Sequence, residues 1–220
     1  MQFVDDLSAM VFPTRCVGCG ARGHTVCAAC HATMPFAPAL AMPTGLDGWW
    51  SAYAYEGIVR DLVARAKFRD QRYVIAWLGS AMACRFAARP PFGALDAVCW
   101  IPTTRARRRA RGFDHAELLA GAFASQVKGL PAPLPLLCAD PSEGRAQAKR
   151  ASQTGRSAAE RRARAGFASA RSCDGLSVVV VDDVSTTGAT LTAAAWSLRQ
   201  AGAANVFAIT AARTSLVNVK

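Results

Sequence analysis

Two adjacent carboxylates, Asp182 and Asp183, stand just before Ser185, Thr186, Thr187 and Gly188 in the 220-residue chain. Small residues let backbone N–H groups close around a phosphate, hydroxyls add donors, and a helix starting near Thr190 adds the positive end of its dipole. Carboxylates repel phosphate, so they need another task in such a site. Sugar hydroxyls and a divalent cation are the groups they suit. A ribose 5-phosphate, with its phosphate in the hydroxyl loop and its 2′ and 3′ oxygens near the acids, uses both halves. A Walker B strand would also end in acids, but it requires a GxxxxGK[ST] partner, which this sequence lacks.

The element that must present these groups is Val178–Val181, a β-branched run apolar on both faces, as an interior parallel strand requires. The strand is expected to stop at Asp182, leaving both carboxylates at its end and outside the core. A second apolar strand, Leu95–Ile101, leads into Pro102, Thr103, Thr104 and Arg105. Ligands of open α/β sheets collect at the carboxyl ends of strands, so a second phosphate-binding loop belongs there. Arg105–Arg111 holds five arginines in seven positions. That run reads either as a solvated turn or as a contact to pyrophosphate or nucleic acid. Around these lie a strand at Trp49–Tyr55 and a helix through Ile58 and Leu62 to Lys67. A second helix, Tyr73–Ala88, is read with Trp77, Ala81 and Phe86 turned inward, and a third presents Ala116, Leu119, Ala122 and Phe123. Leu134–Ala139 is a further strand, and the basic stretch 141–164 reads as either disordered or a mobile lid. The chain closes with a helix through Leu191 and Leu198, a stop at Gly202, and a strand from Asn205 to Thr210.

Near the N-terminus, Cys16, Cys19, Cys27 and Cys30 form two CxxC pairs with seven residues between them. Two such knuckles supply the four thiolates of a tetrahedral structural zinc site. His24 and His31 are potential substitute ligands, but four cysteines already fill the site. Phe3–Val11 is read as a short amphipathic helix before this module, and Pro35, Pro38 and Pro43 as a linker after it. The expected organisation is therefore a zinc-ribbon-like module over residues 1–45 and an α/β domain over 46–220. The net charge of +11, with 26 basic against 15 acidic residues, implies attraction to polyanions or phosphorylated ligands. No apolar run is long enough to span a membrane, no signal peptide is apparent, and the eight cysteines suit a reducing compartment, so a cytoplasmic location is expected.

The VVVVDDVSTTGAT segment resembles the phosphoribosyl-diphosphate (PRPP) loop of type I phosphoribosyltransferases. Together with the CxxC pairs, YAYEGIVRDLVARAKF and ARRRARGFDHAELLA, it makes nearly the whole chain resemble the ComF family, including ComFC- and GntX-like proteins. The resemblance implies a zinc-binding module fused to a type I phosphoribosyltransferase-like domain, a mostly parallel sheet flanked by helices. It implies that Asp182 and Asp183 hold the ribose hydroxyls with magnesium, and that Val184, Ser185, Thr186, Thr187, Gly188, Ala189 and Thr190 surround the 5-phosphate. Thr103, Thr104 and Arg105 would form the pyrophosphate loop, with Arg105 and the two aspartates as catalytic residues. The implied reaction is displacement of pyrophosphate from PRPP by an acceptor that the resemblance does not name. The alternative it carries is a non-catalytic protein that binds PRPP or single-stranded DNA in DNA uptake during competence, partnered by a helicase or other DNA-processing proteins. Family members commonly read RGFNQ where this chain has Arg111-Gly112-Phe113-Asp114-His115, and the 153–167 segment is shorter here.

Overall fold

Four strands form the central sheet in the order β1-β6-β5-β2, every neighbouring pair parallel. The computed structural model describes residues 14–39, 41–68, 71–91, 93–139 and 166–214. The expected Phe3–Val11 helix and the basic 141–164 stretch lie outside the described residues. β1 (Gly48–Ala54) and β6 (Asn205–Arg213) make one edge, and β5 (Ser177–Ser185) and β2 (Ala97–Trp100) the other. The valine run sits in the middle of β5 with Val178, Val179, Val180 and Val181 all buried. Both faces of that strand are covered, which is why the sequence shows a continuous apolar run and no alternation.

One face is packed by α2 (Gly57–Arg65), α3 (Arg72–Ala87) and α5 (His115–Ala124), around Leu62, Leu78, Met82 and Phe123. The opposite face is packed by α6 (Ala189–Gln200) through Leu191, Ala194, Ala195 and Leu198. The inward stripe of α3 differs from the expected one. Phe86 is buried as expected, but Val74, Ile75, Leu78 and Met82 fill the rest of the stripe, while Trp77 is half-buried and stacks on Tyr53. An apolar helix offers more than one possible stripe, and the sheet chooses among them. The Leu134–Ala139 segment contributes only β3 (Leu137–Ala139), which pairs antiparallel with β4 (Phe167–Ser169) in a separate two-stranded sheet.

The arginine run is also not a turn. Arg105–Arg111 forms a short helix, α4, capped at its start by Thr104, whose hydroxyl accepts the Arg107 amide at 3.3 Å, and ended by Gly112. The N-terminal module holds one helix, α1 (Ala28–Ala32), and joins the main core through Val17 and Met34. The proline segment after it is packed too: the Pro35 carbonyl accepts the Ala54 amide at 2.9 Å, and Leu46 is buried beneath α6. No helix among the described residues is long and apolar enough to cross a membrane.

Candidate functional site

β2 and β5 are neighbours, yet the helices that follow them leave toward opposite faces, α5 into one apolar cluster and α6 into the other. Such divergence opens a crevice at the strands' carboxyl ends, where open α/β sheets bind ligands. Residues 102–104 and 185–188 form its two rims. β2 ends with Trp100 opposite Val181, whereas β6 runs on to Arg213 opposite Ser185. The strand therefore does not stop at Asp182 as expected. Pairing with β6 carries β5 through both aspartates to Ser185, while the side toward β2 is open.

The two acids diverge in environment. Asp182 is buried at 8% exposure, not outside the core as the sequence suggests. Its oxygen accepts the Asp183 amide at 2.9 Å. Burial first, then the charge of Asp183, pushes its carboxyl well above the usual range. Asp183 accepts the Val184 amide at 2.7 Å through Oδ1. Its Oδ2 meets His115 Nε2 at 3.0 Å and Lys67 Nζ at 3.3 Å. Burial alone would raise Asp183, but the His115 hydrogen bond and the Lys67 charge outweigh it and hold the carboxyl below its ordinary range. The two neighbouring carboxyls are thus shifted in opposite directions, Asp182 upward and Asp183 downward.

His115 is itself oriented. Arg111 Nη1 lies 3.2 Å from His115 Nδ1, and a guanidinium can only donate, so Nδ1 accepts and Nε2 carries the proton toward Asp183. Next to it, Asp114 is 4% exposed and has two tasks. Its Oδ1 accepts the Ala116 amide at 3.1 Å, capping α5, and its Oδ2 accepts the Thr103 amide at 2.9 Å. One carboxylate therefore ties the 102–104 rim to the start of α5. Lys67, Arg111, Asp114 and His115 were not among the predicted site residues. Lys67 looks in sequence like a helix end, and no spacing rule links it to Asp183, 116 positions on.

The opposite rim turns into the start of α6 through a glycine. Gly188 adopts φ +75° as the residue before α6, and a Cβ there would meet Pro43 Cγ at 2.7 Å. Glycine thus satisfies both the left-handed turn and the close approach of the proline segment. Ser185 is buried, while Thr186, Thr187, Ala189 and Thr190 are exposed. Thr187 Oγ1 accepts the Ala189 amide at 3.4 Å, leaving its hydroxyl proton free to donate. On the facing rim Thr103 is half-buried, and Thr104 and Arg105 are exposed.

The four cysteines of the module converge, with all their sulfurs within 4.8 Å of one another. A tetrahedron with Zn–S bonds of about 2.3 Å needs sulfurs roughly 3.8 Å apart, so the donor set fits zinc. Cys19 and Cys27 sulfurs are 3.6 Å apart, and the Cys27 amide donates to Cys16 Sγ at 3.3 Å. Burial pushes Cys16 up, but amides of Cys19, Cys27 and Gly18 outweigh it and bring the thiol down to about 6. Cys30 is pushed up to about 12 by hydrogen bonds with Cys27 and Cys19. Gly18 is required here, since a Cβ would lie 2.8 Å from Cys30 Sγ. His31 is not a ligand: its Nε2 lies 2.8 Å from the Tyr53 hydroxyl, outside the thiol cluster.

No protein-family model matches the chain, and no curated protein matches it. Among solved structures, the chain is similar to the allosteric regulatory enzyme of purine biosynthesis, with a TM-score of 0.41 and 22% identity over 68% of this chain. The match spans 26% of that protein's length.

Proposed function

We propose that this chain binds PRPP at the crevice between β2 and β5 and catalyses displacement of its pyrophosphate by an acceptor, as a type I phosphoribosyltransferase-like protein of ComF type. In this reading residues 1–45 are the zinc-binding module and 46–220 the catalytic domain. The observation that carries the proposal is the acid pair standing at a topological switch point, directly before a loop with a left-handed glycine at a helix start. Only a ligand with both a diol and a phosphate uses the whole arrangement. The 185–190 loop would hold the 5-phosphate, Asp182 and Asp183 the ribose hydroxyls, and residues 103–105 the diphosphate. The C1–O bond to the diphosphate would break with its electron pair leaving on pyrophosphate, as the acceptor's lone pair forms the new bond at C1 and its proton passes to solvent.

Magnesium binds through one or two carboxylates together with substrate phosphates, and the oxygen donors of Asp182 and Asp183 suit it. When bound it would neutralise diphosphate charge. Lys67 already contributes one positive charge beside Asp183. Calorimetric titration with PRPP and magnesium, then pyrophosphate release across candidate acceptors, tests the reading. Wild-type protein that binds neither PRPP nor ribose 5-phosphate at millimolar concentration would refute it.

A second reading, a PRPP or single-stranded nucleic-acid binder without turnover, is favoured by α4, where Arg105, Arg107, Arg108 and Arg109 are exposed. It requires affinity for single strands that falls with salt at a log–log slope of about −0.7 per phosphate neutralised. Replacing Arg107, Arg108 and Arg109 by Ala should flatten that slope.

A further inference from the structure

Among the described residues, three buried side-chain atoms have no hydrogen-bond partner: Ser51 Oγ, Ser185 Oγ and Arg213 Nε. Ser185 and Arg213 are the last residues of β5 and β6, and Ser51 is the middle residue of β1. Two of them face each other in register, since Arg213 is paired with Ser185 across the β5–β6 ladder. Buried polar groups without partners are uncommon in folded proteins, and a guanidinium is the costliest of them to strand.

Arg213 is 8% exposed. The described residues offer it no carboxylate, because Asp183 is engaged by Lys67 and His115, and Asp182 is buried behind the Asp183 amide. Its guanidinium instead lies over the Trp49 ring, 4.6 Å from the centroid. Stacking covers one flat face and leaves the in-plane N–H edge free, which is the edge that grips an oxyanion in bidentate fashion. Burial, and secondarily the like charge of Arg85, push the guanidinium below its ordinary value. Among the described residues the group is thus a cation without a counter-ion.

Its position indicates where the counter-ion belongs. Thr214, the next residue, donates its amide to the Ser185 carbonyl at 3.1 Å and its hydroxyl to the Thr186 carbonyl at 3.4 Å. The end of β6 is therefore stitched to the first two residues of the anion loop. We propose that Arg213 binds the phosphate monoester held by the 185–190 loop, with the Ser185 hydroxyl as a second donor. The inference rests on the PRPP reading and deepens it, adding a side-chain cation to a loop that otherwise offers backbone amides and threonine hydroxyls.

The test is thermal unfolding and calorimetry with ribose 5-phosphate, using wild type, Arg213→Met and Arg213→Lys. Methionine removes the stranded charge while keeping the apolar stem over Trp49, so the ligand-free midpoint should equal or exceed that of wild type. Affinity for ribose 5-phosphate should fall about 10- to 150-fold, the range for loss of a charge-assisted hydrogen bond. Lysine keeps the charge but not the fork, and should lose an intermediate amount; it carries the test if the methionine variant does not fold. Unchanged affinity in variants that fold would overturn the proposal while leaving the loop reading intact. A ligand-free midpoint well below wild type with unchanged affinity would assign Arg213 to packing on Trp49 alone, and would also overturn it. Wild-type protein unresponsive to ribose 5-phosphate at millimolar concentration would remove the phosphate loop itself, and this proposal with it.

Discussion

The cysteine cluster and the Asp183 cluster are both compact polar sites, and they are assembled in opposite ways. Cys16, Cys19, Cys27 and Cys30 come from 15 consecutive residues, folded by two knuckles and one short helix. Lys67, Arg111, His115 and Asp183 come from three distant parts of the chain and meet because α5 packs on β5 while Lys67, beyond the end of α2, and Arg111, at the end of α4, reach the same place. A local site depends on its ligands and a few turn residues. A dispersed site depends on the whole sheet, which brings together side chains that no local rule connects.

The largest expected effect tests the local side of that contrast. Cys16→Ser with Cys30→Ser should abolish the roughly one equivalent of zinc per chain expected of wild type, as elemental analysis would show. Structural zinc binding is worth on the order of 10 kcal/mol in small modules, so the module should unfold. Because Val17 and Met34 belong to the main core, the thermal midpoint of the α/β domain should fall as well. Retained zinc, or a zinc-free wild type that is fully folded, would break the comparison.

Next in size is Asp183→Asn, which should leave Lys67 and His115 without their common anion. Magnesium-dependent PRPP affinity should drop, and stability should fall by about 2–3 kcal/mol, the scale for removing a hydrogen-bonded charge. The sign with pH follows from the depressed folded value. The Asp183 contribution is present above the unfolded pKa of about 3.9 and is lost as pH falls toward the lower folded one. Denaturant midpoints measured from pH 7 downward should therefore decline less steeply in the variant than in wild type.

Asp114→Asn sharpens the contrast at the rim. The side-chain carbonyl can still cap α5 at the Ala116 amide, but the NH2 that replaces Oδ2 cannot accept from Thr103. A loss of about 1 kcal/mol in PRPP binding is expected, with ribose 5-phosphate affinity unchanged, because the 102–104 rim is assigned to the diphosphate. Equal losses for both ligands would dissociate Asp114 from that rim.

The smallest effect has the opposite sign. Asp182 has a folded pKa raised by burial, so stability is lost as pH rises through the interval between its unfolded and folded values. Asp182→Asn removes the titrating group, so that loss with rising pH should be smaller in the variant, while PRPP binding weakens. A variant with the same pH dependence as wild type would mean that the charge of Asp182 is compensated in the fold.

The sequence by itself determined whatever is encoded by neighbours along the chain. The valine run required an interior strand because its residues are apolar on both faces. The cysteine spacing required a four-thiol cluster, and the hydroxyl-rich turn with its glycine required a left-handed turn at a helix start. Local rules did not extend to where β5 ends, because that depends on β6 running three residues further than Thr210, its expected limit, and β2 stopping at Trp100. Nor did they decide which stripe of α3 faces inward, that the arginine run is helical with Thr104 and Gly112 as its caps, or that Asp182 is buried and Asp183 salt-bridged. The tertiary structure decided those matters, because a carboxylate's charge state and a helix's buried face are set by atoms that are close in space, whatever their separation in the chain.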